Sequence, residues 1–360
     1  MSKPRLRALI LSAGFGTRLR PLTFDLPKPL LPIGGEPAAG WTLRRLQAAG
    51  CEAAALNLHS LPDSIRSFFG SSYFGLPLTY SHEPEIQGTY GALYPLRDFL
   101  RDADAVVMVN GDSLCDWPVR QVVEHHLKEA AEATLLLLER PPDSALGGGI
   151  AIDAEGRVVQ MRGYEPAPGG RRVASRHVFS GLHVLSPSVF DVIDERAGDI
   201  LELLYQPLLS EGGRLASLVT GRRWHDLGTP GRYYAAALEE AALHGSLGRR
   251  LWRRIARPRR LAPPLPPISA LAAIDPTARV HRSQVARGSV IGGSAEISAS
   301  LILWEARLGE GCRVRDSIVG PGVVLPPGSE VIQRMICRHD PRHVLNDSES
   351  LIADLVYTPL

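Results

Sequence analysis

The stretch from Leu9 to Pro37 constrains the fold of this chain more than any other. It opens with the apolar run from Leu9 to Leu11, which predicts a buried strand. The strand leads into SAGFGTRLR, where small residues let the backbone come close to a bulky group. A turn with exposed backbone N–H groups and cations just beyond it is typical of phosphate-binding sites. The glycine spacing alone is weak evidence, since many α/β proteins with such turns bind no nucleotide.

Two common nucleotide-binding patterns do not fit this stretch. The chain has no G-x-x-x-x-G-K-[ST] sequence of the P-loop type. In the dinucleotide fingerprint a third glycine would stand where this chain has Leu19. The phosphate-binding loop must therefore belong to another class.

The strings GFGTRLRPLT and PKPLLPIGGEP resemble the signature of the sugar-1-phosphate nucleotidylyltransferases, also called NDP-sugar pyrophosphorylases. These enzymes make a nucleoside diphosphate sugar from a nucleoside triphosphate and a sugar 1-phosphate. The resemblance implies that Arg18 holds the departing pyrophosphate and that Lys28 binds the phosphates as negative charge builds. The nucleotide contacts implied for the first loop are Leu11, Ala13, Gly14, Gly16 and Thr17.

Composition agrees with such an enzyme and excludes other classes. The net charge of +2 argues against a dedicated nucleic-acid binder. The four cysteines include no C-x-x-C pair, so neither a zinc site nor a disulfide framework is indicated, and we expect a cytoplasmic protein. No apolar run is long enough to cross a membrane. His125 and His126 lie outside any H-E-x-x-H pattern and are expected to be ordinary surface or groove histidines.

Strands alternating with helices predict a three-layer, Rossmann-like α/β domain with a mostly parallel sheet. In such sheets the ligand lies beyond the carboxyl ends of the strands. The segment EPEIQGTYGAL resembles the family's second loop and implies nucleotide contacts at Gln87, Gly88 and Thr89. Tyr90 replaces the small residue usual at its position, which leaves the contact with the base open.

Two aspartates are candidates for a metal site. Asp112 follows the apolar run from Val106 to Val109, and Mg²⁺ is bound in proteins by one or two carboxylates plus substrate phosphates. The family's magnesium aspartate occupies this position, and a second one occurs in its W-x-D-x-G-T-P element, here WHDLGTP. The resemblance therefore implies that Asp112 and Asp226 bind Mg²⁺. An ordinary Asn-Gly-Asp turn and a helix cap are the structural alternatives.

Recognition of the sugar phosphate departs from the family pattern. Many members carry Glu-Lys-Pro after the hairpin that begins at GGGIAI, whereas this chain reads VQMRGYEP, without a lysine. Arg162 is one candidate for the missing charge, and Asn110 and Gly149 are expected as further sugar-phosphate contacts. Arg171, Arg172 and Arg176 are the other candidates for that charge.

A six-residue apolar period runs from Ile274 to Val331. Such hexapeptide repeats build a parallel β-helix, here about three coils if each uses roughly eighteen residues. The repeat resembles the left-handed β-helix attached to several sugar nucleotidylyltransferases and is expected to serve domain packing or a homo-oligomer contact. Some hexapeptide proteins are acyltransferases, but the coils show no obvious catalytic histidine. The expected domains are the catalytic domain (1–247), an Arg/Pro-rich linker (248–268), the β-helix (269–333) and a tail (334–360).

The substrates are less well defined than the reaction. The fused repeat and the string NLHSLPDSI most resemble mannose-1-phosphate guanylyltransferases, which favours GTP with mannose 1-phosphate or a heptose 1-phosphate. Uridylyl- or thymidylyltransfer to another sugar 1-phosphate is the alternative within the family. A regulatory subunit that binds sugar nucleotides without turnover is the alternative from another class.

Overall fold

A computed structural model describes residues 3–139, 149–161, 164, 172–244 and 266–360. The chain divides into two compact units. The first unit comprises Met1–Gly14 and Thr42–Trp224, and the second comprises Phe15–Trp41 and His225–Leu360. Most of the signature stretch therefore belongs to the same unit as the C-terminal repeat.

Short strands and helices alternate along the described residues up to 244. The strands are β1 (Leu6–Leu11), β2 (Pro32–Ile33), β3 (Glu36–Pro37), β4 (Cys51–Leu58), β5 (Ser72–Tyr73), β6 (Leu76–His82), β7 (Ala105–Asn110), β8 (Ser113–Cys115), β9 (Ala133–Leu138), β10 (Ile150–Ile152), β11 (Val158–Met161), β12 (Ser175–Leu185), β13 (Leu215–Thr220) and β14 (Trp224–Asp226). The helices are α1 (Ala38–Ala49), α2 (Pro62–Phe69), α3 (Gly88–Gly91), α4 (Arg97–Arg101), α5 (Val119–Glu129), α6 (Gln206–Ser210) and α7 (Pro230–His244).

The first unit is built on a ten-stranded mixed sheet. Its main path runs β11-β10-β12-β7-β1-β4-β6-β5, and β9 joins β12 to β13. The centre is parallel, since β1 pairs with both β4 and β7, and β4 pairs with β6. Antiparallel pairing begins at β12, which runs against β7 and β9. This arrangement confirms the predicted Rossmann-like α/β class.

The parallel strands are buried because both faces of the sheet are covered by apolar side chains. Val106, Val107, Met108 and Val109 of β7 are all 0% exposed. Leu9, Val106 and Leu135 belong to one hydrophobic cluster with residues of the segment from 185 to 215. The core therefore lies against the strands whose ends carry the predicted site.

The C-terminal repeat consists of very short strands. They are β15 (Ala273–Ile274), β16 (Arg279–His281), β17 (Gln284–Val285), β18 (Val290–Ile291), β19 (Glu296–Ser298), β20 (Leu301–Ile302), β21 (Arg307–Leu308), β22 (Arg313–Arg315), β23 (Ile318–Val319), β24 (Val324–Leu325), β25 (Glu330–Ile332), β26 (Arg334–Arg338), β27 (Ser350–Ile352) and β28 (Leu355–Pro359).

From β15 to β26, each strand pairs in parallel with the strand three positions further along the series, which makes three sheets. Residues in register are 17 positions apart, as Ile274 and Ile291 are. The chain turns through left-handed backbone conformations that recur at the same interval, at Arg282, Ala299, Asp316 and Gln333. Three parallel sheets of this kind are consistent with the predicted left-handed β-helix. Each coil has 17 residues, close to the roughly eighteen that were expected. The number of coils was underestimated, because each sheet holds four parallel strands, one from each coil, rather than about three.

The third sheet of the repeat is apolar on both of its faces. The pairs Leu301–Ile302 and Ile318–Val319 are 0% exposed at all four positions. Ile302 and Val319 belong to the hydrophobic cluster inside the coil, and α7 packs on β17 and β20 of this sheet. The Tyr234 hydroxyl of α7 donates a hydrogen bond to the carbonyl of Ala299 over 2.7 Å. Helix α7 and the repeat therefore form one packed body.

The segment after residue 333 continues the third sheet. Strand β26 pairs in parallel with β23, and β28 then returns antiparallel beside β26. Arg338, at the end of β26, forms an ion pair with Asp25 of the signature stretch over 3.0 Å. None of the helices in the described ranges combines the length and the apolarity needed to cross a membrane.

Candidate active site

Three strand ends meet at the carboxyl edge of the first unit's sheet. Leu11, the last residue of β1, is in register with Asn57 of β4 on one side and with Asn110 of β7 on the other. Parallel strands bring their carboxyl ends to one edge, so the loops that follow them lie side by side. The predicted contacts at Leu11 and Asn110 are thereby neighbours.

A chain of buried hydrogen bonds links the loops at this edge. The backbone N–H of Ser12 donates to Asn57 Oδ1 over 2.7 Å, and Asn57 Nδ2 donates to Glu83 Oε1 over 2.8 Å. The other carboxylate oxygen of Glu83 accepts the backbone N–H of Gln87 over 3.0 Å. Asn57 is 3% exposed and Glu83 is 2% exposed. Glu83 therefore ties the second loop to the first through Asn57.

Sequence reasoning gave Asn57 and Glu83 no role. The available signal was a polar residue at the end of an otherwise apolar strand, in NLH, and an acid at the start of EPEIQGT. Buried polar side chains nearly always have hydrogen-bond partners, so both positions could have been predicted to pair. Their partners could not, because these lie on other strands.

The second loop also contacts the segment 198–200. Gly88 has φ +77°, and a Cβ there would lie 2.4 Å from the carbonyl oxygen of Gly198. The Thr89 hydroxyl accepts the N–H of Ile200 over 2.8 Å and donates to Asp199 over 3.2 Å. Glycine is therefore required at position 88, because any side chain there would collide with the backbone of Gly198. The Thr89 side chain positions the 198–200 segment, while its nucleotide contact stays a prediction.

Tyr90, the departure from the family pattern in this loop, is a core residue. Its side chain is 1% exposed and lies in the main hydrophobic cluster. Its hydroxyl accepts the N–H of Asp194 over 3.2 Å. The larger ring is thus accommodated by packing against the segment near Asp194.

Asp112 follows the paired ends of β1 and β7. The N–H of Gly111 donates to the carbonyl of Leu11 over 2.8 Å, and a Cβ at Gly111 would lie 2.5 Å from that oxygen. Only glycine allows this approach without displacing the backbone. The backbone just before Asp112 is therefore held against the end of β1, and the side chain of Asp112 is half-buried.

An ion-pair cluster lies four residues further on. Asp116 pairs with Arg45 and, over 3.1 Å, with Arg223, the residue just before the WHD segment. Burial pushes the pKa of Asp116 upward, but the two guanidinium groups outweigh it and hold the pKa below its usual value. Asp116 is therefore ionised at neutral pH and fixes Arg223 in place. The sequence gave no signal for this cluster beyond the charges themselves.

In the second unit, the glycine-rich turn lies against the stem of Lys28. Gly16 is left-handed, with φ +66°, and its carbonyl accepts the Thr23 hydroxyl over 2.8 Å. A Cβ at Gly16 would lie 2.9 Å from Thr23 Cγ2 and 3.2 Å from Lys28 Cγ. Glycine therefore allows the turn to fold back onto Lys28, while phosphate binding by this loop stays a prediction.

Arg18 and Asp226 approach each other around Gly228. A Cβ at Gly228 would lie 2.7 Å from Arg18 Nη2 and 2.8 Å from Asp226 Oδ1. The N–H of Gly228 donates to the same carboxylate oxygen over 2.7 Å. The other oxygen of Asp226 accepts a hydrogen bond from the Arg232 guanidinium. The structure thus joins two predicted residues and adds Arg232, which sequence reasoning missed.

The predicted residues divide between the two units. Those of the first unit are Leu11, Ala13, Gly14, Gln87, Gly88, Thr89, Asn110, Asp112 and Gly149, and those of the second are Gly16, Thr17, Arg18, Lys28 and Asp226. Arg162 and Arg171 lie outside the described residues. Arg176 is exposed and hydrogen-bonds Gln160.

The fit of a divalent cation can be tested at Asp226. Within the described ranges, no three or more His, Cys, Asp or Glu side chains are grouped so that they could hold a metal ion. The Arg232 guanidinium nevertheless forms an ion pair with one carboxylate oxygen of Asp226. A carboxylate that holds a guanidinium has the charge and the lone pairs that Mg²⁺ prefers. Asp226 therefore fits a cation ligand.

Comparison with known proteins places these observations in a family. The model of the nucleotidyl transferase family matches residues 7–242. A probable mannose-1-phosphate guanylyltransferase 2 of Arabidopsis thaliana is 29% identical over 353 residues, which cover 88% of this chain and 92% of that protein. A mannose-1-phosphate guanyltransferase of Schizosaccharomyces pombe is 29% identical over 350 residues, with 89% and 92% coverage.

A solved structure resembles part of the chain. It is that of a putative glucose-1-phosphate thymidylyltransferase from Bacillus anthracis, with a TM-score of 0.56 and 23% identity. The match covers 65% of this chain and 95% of that one. At this identity the likeness bears on the fold alone, and it agrees with the sheet of the first unit.

Proposed function

Because this chain belongs to the nucleotidyl transferase family, we propose that it transfers a guanylyl group from GTP to mannose 1-phosphate, forming GDP-mannose and pyrophosphate. The observation that carries the choice of substrates is the likeness to guanylyltransferases along 88% of the chain. That likeness extends over the C-terminal repeat as well as the nucleotidyl transferase region. A heptose 1-phosphate is the sugar to test next.

The proposed reaction is an in-line displacement. An oxygen of the sugar phosphate attacks the α-phosphorus of the triphosphate, and the bond to the bridging oxygen of the leaving pyrophosphate breaks. No covalent intermediate with the protein is required, so positioning and charge neutralisation must supply the catalysis. Arg18 would hold the pyrophosphate and Lys28 the phosphates that gain charge. The packing of Gly16 against the Lys28 stem supports this role, because it restricts where the ammonium group can lie.

A divalent cation, proposed to be Mg²⁺, would neutralise phosphate charge at this site. Asp112 and Asp226 are the proposed ligands. The first is supported by its position at the end of a buried strand, and the second by the cationic partner that it already holds. Asn110 and Gly149 remain proposed contacts of the sugar phosphate.

The setting of the reaction is proposed to be the cytoplasm. All four cysteines are free and buried, which agrees with a reducing compartment. A homo-oligomer contact through the β-helix stays a prediction.

The test is to measure pyrophosphate release for four nucleoside triphosphates against a panel of sugar 1-phosphates with Mg²⁺. We expect the highest kcat/KM for GTP with mannose 1-phosphate. Release with UTP or dTTP only would replace the proposed substrates by those of the alternative. Binding of GDP-mannose without turnover of any pair would favour a regulatory subunit.

The metal assignment needs its own variant. Asp112→Ala is expected to keep its fold and to lose at least about a hundredfold in kcat, because a charge that stabilises the transition state is removed. Full turnover by a correctly folded Asp112→Ala protein would refute the assignment.

A further inference from the structure

Asp226 pairs with one guanidinium group of the second unit and lies near another one. Arg232 contacts its Oδ2, while Oδ1 and Arg18 Nη2 both lie within 3 Å of the place that a Cβ of Gly228 would occupy. One carboxylate therefore faces two permanent positive charges, since arginine does not lose its proton in proteins. The group carries a net charge of about +1 before any ligand binds.

The ion pair of Arg232 and Asp226 is open to exchange. The side chain of Arg232 is 36% exposed and that of Asp226 is 17% exposed. A pair that is partly hydrated on the arginine side is weak, because water replaces much of the interaction when the two groups separate. A divalent ion carries twice the charge of a guanidinium and competes well for the same oxygen.

Arg232 is also placed so that it can hold an anion when it is released. It lies in the first turn of α7, whose amino-terminal N–H groups favour negative charge. The guanidinium of Arg18 lies at the same loop, beside Gly228. Once Arg232 is released from Asp226, its guanidinium and that of Arg18 together match the charge of a phosphate group.

We propose that Arg232 is an exchangeable counter-ion. It holds Asp226 while no divalent ion is bound, and it binds a phosphate of the substrate once the ion has taken the carboxylate. This inference rests on the proposed function, which supplies both the ion and the phosphate. It assigns Arg232 the role of a substrate-binding residue in addition to that of a metal competitor.

The first test needs no substrate. Mn²⁺ alone is titrated into the full-length protein, and free Mn²⁺ is followed by electron paramagnetic resonance. Arg232→Gln is expected to bind Mn²⁺ roughly three- to fivefold more tightly than the unmodified protein, because the competing cation is gone. Equal or weaker binding, or no detectable binding by either protein, overturns the proposal. Since no turnover is involved, this result is independent of whether the proposed reaction occurs.

Two further variants separate exchange from structural damage. Arg101→Gln removes the same charge from an exposed pair with Asp191 and should leave Mn²⁺ affinity unchanged. Arg232→Lys keeps a competing cation and should bind Mn²⁺ more weakly than Arg232→Gln. If Arg232→Gln unfolds at a lower temperature than the unmodified protein, Mn²⁺ should restore more of the loss than it does for Arg101→Gln. If Arg232→Gln, Arg232→Lys and Arg101→Gln bind Mn²⁺ equally well, the proposed exchange of Arg232 for a divalent ion is contradicted.

The second test addresses the phosphate. At saturating Mn²⁺, Arg232→Gln should raise KM for the triphosphate or the sugar phosphate by about three- to tenfold, while kcat changes less than twofold. Unchanged KM values for both substrates would refute the phosphate-binding half. If neither protein turns over any substrate pair, the proposed function fails, and the Mn²⁺ titration still decides the counter-ion role.

Discussion

Gln284, at the start of the third sheet of the β-helix, hydrogen-bonds Gly34 of the signature stretch. The N–H of Gly34 donates to Gln284 Oε1 over 2.8 Å, and Gln284 Nε2 donates to the carbonyl of Pro32 over 3.1 Å. Gln284 is 1% exposed, so its side-chain amide makes these hydrogen bonds to the β2–β3 hairpin in place of bonds to water. The repeat is therefore part of what holds the PIGGEP segment, in addition to any packing or oligomer role.

Gln284→Leu should lower the free energy of unfolding by about 1–3 kcal/mol, because a buried N–H at Gly34 loses its acceptor. The carbonyl of Pro32 is less affected, since the Tyr233 hydroxyl also donates to it over 2.9 Å. Urea unfolding followed by tryptophan fluorescence measures the change. Gln121→Leu, an exposed position on α5, is the matched control. Equal stability of both variants would show that the contact contributes nothing.

Gly228→Ala should reduce activity far more than stability. The new methyl group would lie 2.7 Å from Arg18 Nη2 and 2.8 Å from Asp226 Oδ1, so these side-chain ends must move apart. A displacement of this size at the groups proposed to hold the pyrophosphate and the metal ion is expected to cost about tenfold to a hundredfold in kcat/KM. Steady-state kinetics and a melting curve provide the two readouts.

Gly231→Ala is the control for that variant. It lies three residues along the chain, in the first turn of α7, and a Cβ there meets nothing within 4 Å. Its activity should stay within about twofold of the unmodified protein. Loss of activity in both variants would point to the backbone of this turn rather than to the Arg18–Asp226 approach.

Glu83→Gln should destabilise the loops at the strand ends. The replacement has one acceptor oxygen where the carboxylate has two, so either Asn57 Nδ2 or the N–H of Gln87 loses its partner. The expected cost is about 1–3 kcal/mol in unfolding free energy, with a fall in kcat/KM because the second loop is less well fixed. Glu85→Gln, an exposed neighbour, should change neither. The idea fails if hydrogen exchange of the Gln87 amide is the same in both variants.

His126 should make stability depend on pH. It was expected at the surface or in a groove, but it is 1% exposed and contacts the hydroxyls of Thr134 and Ser186 over 3.0 and 3.1 Å. Burial, with a smaller effect of His125, lowers its pKa to about 4. In the unfolded chain the group takes up its proton near pH 6.5, so the unfolded state binds more protons between these values. Stability should therefore fall by on the order of 3 kcal/mol as the pH drops from about 6.5 to about 4.

His126→Gln should flatten that dependence, because the replacement does not titrate and can keep both hydrogen bonds. Urea midpoints at several pH values between 4 and 7 provide the measurement. His183 keeps part of the slope, since burial lowers its pKa to about 3. His125→Gln should reduce the slope only slightly, because His125 makes the smaller contribution to the lowered pKa of His126. A larger flattening in His125→Gln than in His126→Gln would contradict the assignment to His126.

Much of the fold follows from local patterns. The apolar runs Leu9–Leu11 and Val106–Val109 lie in central strands. A strand with consecutive apolar residues has apolar side chains on both faces, and both are shielded from water only in a sheet that is covered on both sides. The inward positions of the repeat were predicted in the same way. The doubled apolar pairs, such as Ile318–Val319, were a further signal, and they mark the one sheet of the coil that is covered on both faces.

The sequence by itself determined the family signature, the strand–turn order and the apolar interior of the β-helix, because each depends on residues within a few positions of one another. Tertiary structure alone decided that Arg232 meets Asp226, that Glu83 meets Asn57, and that Gln284 reaches Gly34 across 250 residues. These pairings depend on which backbones approach closely enough for a hydrogen bond. That distance is fixed by the packing of whole strands and coils, and no local pattern of residue types records it.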